Sequence, residues 1–521
     1  MRRHWLDGFE KLLEDGKEFL AVGNKAAAMY ASCLTHKPAN KDAVEQFMDM
    51  LKLRSIDQQQ QVASVFGVLV DVAYNWQAPL WFRVAVLPRN AYHPSRRVLI
   101  TRNPLIAEWQ AALEGLSGRE EYRKRWSQTE GVHASDSVIL RSYETRRAIF
   151  RMLLSKSAST TDALRRFALG DASNHASFAS DMPQLLNQHI RSNENFSKED
   201  LMIFEEAHLL EAINAAFARF ENRELMQHVL WLFRDVYGPI SDPSMLLSHG
   251  HDRDANKTLH RYCSSQVEAS YHLLVNALFA FSRLTPLERQ SIIELIKGIH
   301  QRAVQLIRDV DWLEWRSKSM AIAKLDGLKT LLWPPNELIT VGDLFNIYRA
   351  FPDNASSFME YWMETREAIR NYTTKNLVGN VELLGAPGSY DVPIISYVPV
   401  LNIAFISMAA LSRPLFYAAG TRAVNYGGLG YQYAREIVRA LELAYSAYTA
   451  VKHNDGPKIL DRTTETQIFF ITMCLGMCRH QQGHKERACN KAVMTFQPFA
   501  EAFKCDWSSR MNVKEKCAFF M

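Results

Sequence analysis

The sequence lacks a strong excess of charge of either sign, and this absence excludes one broad class of function. Its 521 residues include 61 basic and 56 acidic side chains, which gives a net charge of +5. The charges are dispersed, and no basic stripe with interleaved aromatic residues is present, as would be typical of a nucleic-acid-binding surface. We therefore expect no nucleic-acid partner. A hydrophobic content of 47% with 22% charged residues argues against extensive disorder.

The chain also lacks a visible export signal and a clear membrane-spanning segment. The N-terminus, MRRHWLDGFEKLLEDGKEFL, is interrupted by acidic residues and has no apolar core of signal-peptide length. The longest uncharged run, IISYVPVLNIAFISMAALS at Ile394–Ser412, approaches the length of a membrane span. Because proline, asparagine and serine dilute it, we predict a buried strand-and-turn segment there and no transmembrane segment in this chain.

Cysteine is scarce and odd in number, with seven residues in all. Five of them lie in the C-terminal part of the chain, a distribution typical of a secreted, disulfide-tied segment: Cys474, Cys478, Cys489, Cys505 and Cys517. Four N-x-S/T sequons begin at Asn195, Asn256, Asn354 and Asn371. About three are expected by chance at this composition, so sequons alone decide little about the compartment.

Helical periodicity dominates the chain. Apolar residues recur three and four positions apart at 137–154, 264–284 and 291–310, which predicts amphipathic helices. The run Ser197–Asp200, with acidic residues ahead of an apolar stretch, predicts a further helix start.

Strand signals are fewer. FRVAV at Phe82–Val86 and the run at Val98–Thr101 predict two strands joined by a hairpin loop. Proline and glycine cluster between Pro334 and Pro393, which indicates a junction between two lobes. The chain is thus predicted to be mainly α-helical and two-lobed, with minor β structure.

The stretch NYGGLGYQYAREIVRAL, from Asn425 to Leu441, contains the pentapeptide REIVR at Arg435–Arg439. In a zinc peptidase, HExxH places two neutral imidazoles on one helix face, and the intervening glutamate takes a proton from zinc-bound water. Arg435 and Arg439 occupy the histidine positions here. A guanidinium stays protonated and has no lone pair, so neither residue can bind a metal. We therefore predict no zinc at this helix.

Several segments resemble the neprilysin and endothelin-converting-enzyme family of zinc peptidases, peptidase family M13. NYGGLG is similar to the family's NYGG(I/L)G before its HExxH helix. YVPVLNIAFISMAALSRPLF at Tyr397–Phe416, WLEWRSKSMAIAKL at Trp312–Leu325 and AMYASC at Ala28–Cys33 resemble further family segments. Their order and spacing make the resemblance extend over nearly the whole chain.

The resemblance implies a large helical N-terminal lobe at residues 1–335, a connection at 336–393 and a shortened thermolysin-like C-terminal lobe at 394–521. It also implies an enclosed chamber for short peptides and a disulfide between Cys33 and Cys263; two buried thiols are the alternative. Family members use zinc and are type II membrane or secreted proteins. Extracellular or cell-surface localisation is therefore expected on resemblance alone.

Several family positions have changed. Glu436 keeps the general-base position, but without a metal there is no activated water, so we interpret it as vestigial and expect it to form a helix salt bridge with Arg439. The family's third ligand lies in an ExxxD motif that is missing here. Glu442 is the only carboxylate nearby, and we expect it on the same helix. The edge-strand Asn-Ala that holds the peptide backbone in the family falls on Ile394 and Ile395.

The end of the chain has changed as well. The family's transition-state histidine has no clear counterpart, and Lys491 is at best the arginine that follows it. The resemblance ties Cys478 and Cys505 to cysteines upstream of residue 1, and Cys517 to one in a deleted loop. This suggests a shortened N-terminus or an incomplete gene model.

One rival metal site is CLGMCRHQQGHKERAC, which places five possible ligands close together: Cys474, Cys478, His480, His484 and Cys489. The spacing matches no familiar zinc-finger pattern, and we favour oxidised cysteines and loop histidines. HGHDRD at His249–Asp254 is similarly interpreted as a solvated loop.

We therefore predict a non-catalytic member of this family, without a cofactor, that binds peptides or pairs with an active relative. One alternative is an active metalloendopeptidase in proteolysis and peptide processing, with a non-standard zinc site. A third possibility is a degraded product without molecular function.

Overall fold

The structure is a computed structural model of the whole chain. It describes residues 2–20, 22–35, 37–53, 64–89, 94–115, 117–130, 135–155, 164–178, 180–246, 252–332, 341–375, 394–438, 441–451, 463–477 and 486–516. Of the loop predicted at His249–Asp254, residues 249–251 lie outside these ranges and the remaining three begin a helix. Of the junction predicted at 334–393, residues 341–375 are described and contain two helices.

Helices make up most of the described chain, as predicted. In order they are α1 (Arg2–Phe19), α2 (Gly23–Leu34), α3 (Lys41–Met50), α4 (Val65–Tyr74), α5 (Ile106–Glu114), α6 (Gly118–Glu130), α7 (Asp136–Leu154), α8 (Met182–His189), α9 (Ala207–Arg219), α10 (Asn222–Tyr237), α11 (Asp252–Ser270), α12 (His272–Ser282), α13 (Pro286–Asp309), α14 (Trp315–Asp326), α15 (Val341–Tyr348), α16 (Phe358–Lys375), α17 (Arg422–Asn425), α18 (Tyr431–Val438), α19 (Leu441–Val451), α20 (Glu465–Met477), α21 (Glu486–Met494) and α22 (Gln497–Ala502). A single π-helical turn covers Tyr426–Gly430.

The β structure of the described residues consists of seven short strands. They are β1 (Phe82–Leu87), β2 (Arg97–Arg102), β3 (Arg165–Ala168), β4 (Leu201–Phe204), β5 (Lys329–Leu331), β6 (Ile395–Val398) and β7 (Ile403–Ile406). The mainly helical fold with minor β structure is thus confirmed.

Contacts divide the chain into two compact units that are discontinuous in sequence. The first unit comprises Met1–Gly16, Leu273–Ile339 and Ala386–Met521, and the second comprises Lys17–His272 and Thr340–Gly385. These bounds differ from a linear division at residues 335 and 393, because the chain leaves the first unit within the last turn of α1 and returns to it in α12. The assignment of family domains along the chain stays a prediction.

A four-stranded sheet with the order β1-β2-β4-β3 lies in the second unit. β1 and β2 pair antiparallel, with Phe82 opposite Arg102, which confirms the predicted hairpin. β4 joins parallel to β2, and β3 pairs antiparallel with β4.

The helix start predicted at Ser197–Asp200 is wrong, since a turn there leads into strand β4. Asp200 is buried and accepts hydrogen bonds from the backbone amides of Arg96 (2.9 Å) and Ser197 (2.9 Å). Its side chain also pairs with the Arg96 guanidinium at 3.0 Å. The acidic residue therefore anchors a loop to the sheet, and the following apolar residues fill the sheet interior. Tertiary pairing has overridden the local helical signal.

The three predicted amphipathic helices are present with changed bounds. The run at 137–154 is α7, and the run at 291–310 belongs to α13, which begins earlier behind a capping box of Thr285 and Glu288. The run at 264–284 is divided between α11 and α12. Tyr271 lies at the break, fully buried, with its ring 5.5 Å from that of Tyr348 and 5.3 Å from that of Phe351.

The disulfide expected between Cys33 and Cys263 is present, with a Cα–Cα distance of 5.7 Å. It joins α2 to α11 inside the second unit. Both residues are fully buried, so the bond closes a long loop within the core of that unit.

The uncharged run Ile394–Ser412 forms strands β6 and β7 and a short 3₁₀ turn at Met408–Leu411, as predicted. These strands belong to a sheet with the order β5-β7-β6 in the first unit. No helix in the described part of the chain has both the length and the apolarity needed to cross a bilayer.

Candidate functional site

The NYGGLG segment is a packing element of the first unit. The Asn425 side chain makes two hydrogen bonds with the backbone of Tyr417: its Oδ1 accepts from the amide at 2.9 Å, and its Nδ2 donates to the carbonyl at 3.0 Å. Leu429 N donates to the Leu415 carbonyl at 2.8 Å. These hydrogen bonds hold the segment, and with it the start of α18, against the backbone at Leu415 and Tyr417.

Two glycines make this close packing possible. A Cβ added to Gly427 would overlap the carbonyl oxygen of Phe469 on α20, and one added to Gly428 would overlap that of Leu415. Both glycines are buried within the π-helical turn. Glycine is required here because neighbouring backbone occupies the space of a side chain. Since these contacts involve no metal, the motif has a structural role of its own.

Arg435 and Glu436 lie on α18 and form an ion pair. Arg435 Nη2 is 2.8 Å and Nε is 3.3 Å from Glu436 Oε1. The side chains are 39% and 22% exposed, so water screens the pair only in part. The salt bridge expected between Glu436 and Arg439 cannot be compared, because Arg439 lies outside the described residues.

Glu442 was expected on the same helix as Glu436, and this is wrong. Glu442 belongs to the first turn of α19, and the ring of Tyr448 on that helix lies 6.4 Å from the ring of Tyr426, which precedes α18. The two helices therefore fold back on each other and do not form one continuous helix.

Ile394 and Ile395 lie at the start of β6, which packs against α18. Ser407 N donates to the Ile394 carbonyl at 2.9 Å, and Ile395 stands opposite Ile406. In an antiparallel pair, hydrogen-bonded and non-hydrogen-bonded positions alternate. The backbone N–H and C=O groups of Ile395 and Tyr397 therefore point away from β7, toward a sheet edge that no described strand covers.

Tyr433 connects α18 to the other edge of this sheet. Its hydroxyl lies 2.7 Å from Thr330 Oγ1 on β5, and burial raises the pKa of Tyr433 to about 12. Helix α18 is thus held over the sheet by a neutral phenol.

The residues at the expected zinc position do not fit a zinc ion. Arg435 offers only N–H donors, which Glu436 already accepts, and a zinc site needs nitrogen, sulfur or carboxylate lone pairs. Among the described residues, no group of three histidine, cysteine or acidic side chains is placed to hold a metal.

In the rival metal-binding cluster near the C-terminus, Cys474 and Cys489 form a disulfide that joins α20 to α21. Sulfurs in a disulfide are not available as thiolate ligands. Cys478, His480 and His484 lie outside the described residues, while Cys505 is a free thiol. The sequence had indicated oxidised cysteines but not this pairing.

These features define a class: a mainly helical zinc-peptidase fold whose expected zinc-binding helix carries arginine. A family profile described as "Peptidase family M13" matches residues 6–333. The chain belongs to peptidase family M13.

Individual relatives agree with this assignment at low identity. The chain is 21% identical to human endothelin-converting enzyme 1 over 192 residues, which is 35% of this chain and 24% of the relative. It is 20% identical to mouse endothelin-converting enzyme-like 1 over 411 residues, 62% of this chain and 53% of the relative. The chain thus spans between a quarter and about half the length of these relatives.

Among solved structures, the zinc metalloprotease ZMP1 of Mycobacterium tuberculosis, determined in complex with an inhibitor, has a similar fold. The TM-score is 0.63 at 14% identity, and the match covers 100% of this chain and 93% of the other. At this identity the likeness shows the fold alone.

Proposed function

We propose that this chain is a non-catalytic member of family M13 that uses the fold to bind a peptide or a protein partner. The observation that supports this most is the Arg435–Glu436 ion pair. It places a cation where the family has a ligand, and it occupies the carboxylate at the general-base position.

The packing around the NYGGLG segment supports a chain that folds, as opposed to a degraded product that does not. Asn425, Gly427 and Gly428 are held by contacts that serve the first unit's own core. We therefore propose that the shell itself is the functional part.

The edge of strand β6 is the proposed binding surface. Ile395 and Tyr397 direct backbone donors and acceptors away from β7, beside the helix that carries Arg435. An extended peptide can add to such an edge as a further strand, with main-chain hydrogen bonds supplying affinity. The occupant we propose is a short extended peptide or an exposed segment of a partner protein.

Metal content and hydrolysis test the loss of catalysis. The full chain, purified with excess zinc and desalted, is expected to retain far less than one zinc per molecule and to leave short peptides intact. Two variants serve as comparisons: Glu436→Gln, which removes the carboxylate, and the double substitution Arg435→His with Arg439→His, which restores the two imidazoles. Chelator-sensitive cleavage that Glu436→Gln abolishes would overturn the proposal in favour of an active enzyme with a non-standard site.

Peptide binding is tested separately with a pool of short synthetic peptides and a proline at the strand edge. Tyr397→Pro removes one outward N–H, whereas Tyr397→Ala removes the same side chain and keeps the N–H. We expect the proline variant to bind the selected peptides at least tenfold more weakly than the alanine variant. Equal affinities would exclude β6 as the binding edge.

We also propose an extracellular or cell-surface location. Two disulfides, Cys33–Cys263 and Cys474–Cys489, support it, because such bonds persist in oxidising compartments and are rare where thiols are kept reduced. Thiol counting on protein isolated from its native cells tests this: fully reduced cysteines would exclude an oxidising compartment.

A further inference from the structure

Arg366 is a buried cation that has no part in the proposed function. It lies on α16 in the second unit, and only 2% of its surface is exposed. Its Nη1 donates to the side-chain carbonyl of Gln77 at 2.9 Å and to the backbone carbonyl of Ala269 at 3.2 Å. Both acceptors are neutral. Among the residues that the structure describes, no carboxylate lies within ion-pair distance of this guanidinium.

The positive charge of Arg366 persists despite this burial. Burial lowers the pKa of Arg366 to about 10, while Tyr237 and Tyr262 act in the opposite direction. A group with that pKa is still protonated at neutral pH. Taking a cation out of water is costly unless an opposite charge accompanies it. The ring of Trp362, whose centre lies 5.1 Å from the guanidinium carbon, offsets only part of that cost.

Neither tyrosine supplies the missing negative charge. Burial raises the pKa of Tyr262 well above its usual value, so its phenol is neutral. The hydroxyl of Tyr237 donates to the Pro79 carbonyl at 3.2 Å and therefore keeps its proton. The second unit thus holds one positive charge here that none of its described residues balances.

Two hydrogen-bond donors beside this charge have no acceptor. Arg366 Nε and Tyr262 Oη are both shut off from solvent, and neither makes a hydrogen bond with another described residue. Tyr262 lies on α11, which packs against α16, and the two side chains interact electrostatically. A buried donor without an acceptor loses its hydrogen bonds to water and gains none in return. An uncompensated cation with two such donors is a fitting environment for an anion.

The backbone of Gln77 fixes which side of the guanidinium is left open. Its φ of 51° lies in the left-handed region, which residues other than glycine seldom adopt. Such strain persists only where the surroundings hold it. The preceding Trp76 is stacked on Trp362, with ring centres 6.1 Å apart. Gln77 is therefore held with its side-chain oxygen on Nη1 of Arg366, and Nε remains for a second acceptor.

We propose that a chloride ion binds beside Arg366 Nε and Tyr262 Oη. One negative charge balances the single guanidinium, whereas a divalent anion would leave a buried negative charge in its place. A spherical ion accepts from an N–H and an O–H at once and imposes no direction on either. The ion joins α16 to α11 and stabilises the second unit. This site is independent of the helix that carries Arg435 and of the β6 edge.

The chloride dependence of unfolding tests the site in solution. The full chain is unfolded by heat at constant ionic strength, with sodium chloride replacing sodium gluconate. An ion that binds only the folded state stabilises it by mass action. The unfolding temperature should therefore rise by about 2 °C for each tenfold increase in chloride once the site begins to fill. In crystals grown with bromide, the anomalous signal of one bromide should lie beside Arg366 Nε.

Three variants locate the response. Arg366→Met should abolish it, and Tyr262→Phe, which removes one donor, should require at least tenfold more chloride for the same rise. Tyr143→Phe is the matched control, because the buried Tyr143 hydroxyl already donates to the Leu113 carbonyl at 2.8 Å. Its chloride response should equal that of the wild type. If Arg366→Met does not fold, the comparison of the two phenylalanine variants decides alone.

Equal unfolding temperatures in chloride and gluconate would overturn the proposal. Bromide in the crystal without a response in solution would show an adventitious ion only and would overturn it too. An undiminished response in Arg366→Met or in Tyr262→Phe would mean that chloride binds elsewhere on the protein, and this site would be excluded.

Discussion

Arg435 and Glu436 are neighbours in sequence, and their side chains bind each other, with Arg435 Nη2 2.8 Å from Glu436 Oε1. Successive residues on a helix point about 100° apart, so the two long side chains must bend toward each other along the surface. The pair leaves a positive charge partly neutralised at a position that the resemblance predicts to correspond to a zinc ligand of the family. It also keeps both groups partly in water.

Arg435→Ala is expected to change the free energy of unfolding by less than about 1 kcal/mol, because partly exposed ion pairs contribute little. Urea unfolding measures this. Arg146→Ala provides the contrast, since Arg146 is 3% exposed and pairs with Asp235 at 2.5 Å. Removing a buried partner should cost about 3–5 kcal/mol. A large cost for Arg435→Ala would show that the arginine is required for folding and is not a simple replacement of a ligand.

Gly428→Ala should destabilise the protein by at least about 1–3 kcal/mol, the usual cost of overpacking, because its Cβ would overlap the Leu415 carbonyl. Gly8→Ala is the matched control: it lies on α1, and a Cβ there meets nothing within 4 Å. That substitution should be neutral or stabilising by up to about 1 kcal/mol. Equal thermal unfolding temperatures for the two variants would refute the packing role of the NYGGLG segment.

Much of the fold was predictable because its signals are local. The 3.6-residue period predicts α7, and the β-branched and aromatic residues around Phe82 predict the hairpin, because both signals come from the side chains of the elements themselves. The break at Tyr271 was not predictable, since apolar periodicity continues through it. The break depends on rings from Tyr348 and Phe351, which are distant in sequence.

The candidate site was also predictable only in part. The two arginines of REIVR are visible in the sequence, and so is their lack of lone pairs for a metal. The contact between Arg435 and Glu436 depends on their side-chain rotamers, which the residue spacing does not determine. The pairing of Cys474 with Cys489 likewise depends on how α20 and α21 approach, and several cysteines were equally eligible.

Removal of the Cys33–Cys263 disulfide should be costly, because the two residues are 230 positions apart and buried. The paired change Cys33→Ala with Cys263→Ala is expected to lower the free energy of unfolding by about 2–5 kcal/mol. Cys505→Ala, which removes a free thiol, is the control. If the double variant unfolds at the same temperature as the control, the bridge is not formed in the native protein.

Asp200→Asn should destabilise the second unit by about 3–5 kcal/mol, because Arg96 would lose its buried carboxylate. Burial favours the neutral acid, but hydrogen bonds from Ser197 and Arg96 outweigh it and lower the pKa of Asp200. The carboxylate's contribution is therefore present above its unfolded pKa, near 3.8, and is lost as pH falls further. Unfolding curves at pH 7 and pH 3 should accordingly show a larger difference between wild type and variant at pH 7.

The lowered pKa of His189 predicts that the protein loses stability in mild acid. Burial, with a smaller effect of Lys52, lowers the pKa of His189 to about 4 from 6.5, so the folded state binds this proton less readily than the unfolded chain. Stability from this group is complete above pH 6.5 and falls by about 3 kcal/mol as pH drops toward 4. His189→Gln has no titratable group at this position. Subtracting its pH–stability curve from that of the wild type removes the contributions of the other titrating groups. One of these is Glu205, whose raised pKa of about 7 changes stability with pH in the opposite direction. A flat difference between the two curves would show that His189 is not held neutral in the folded protein.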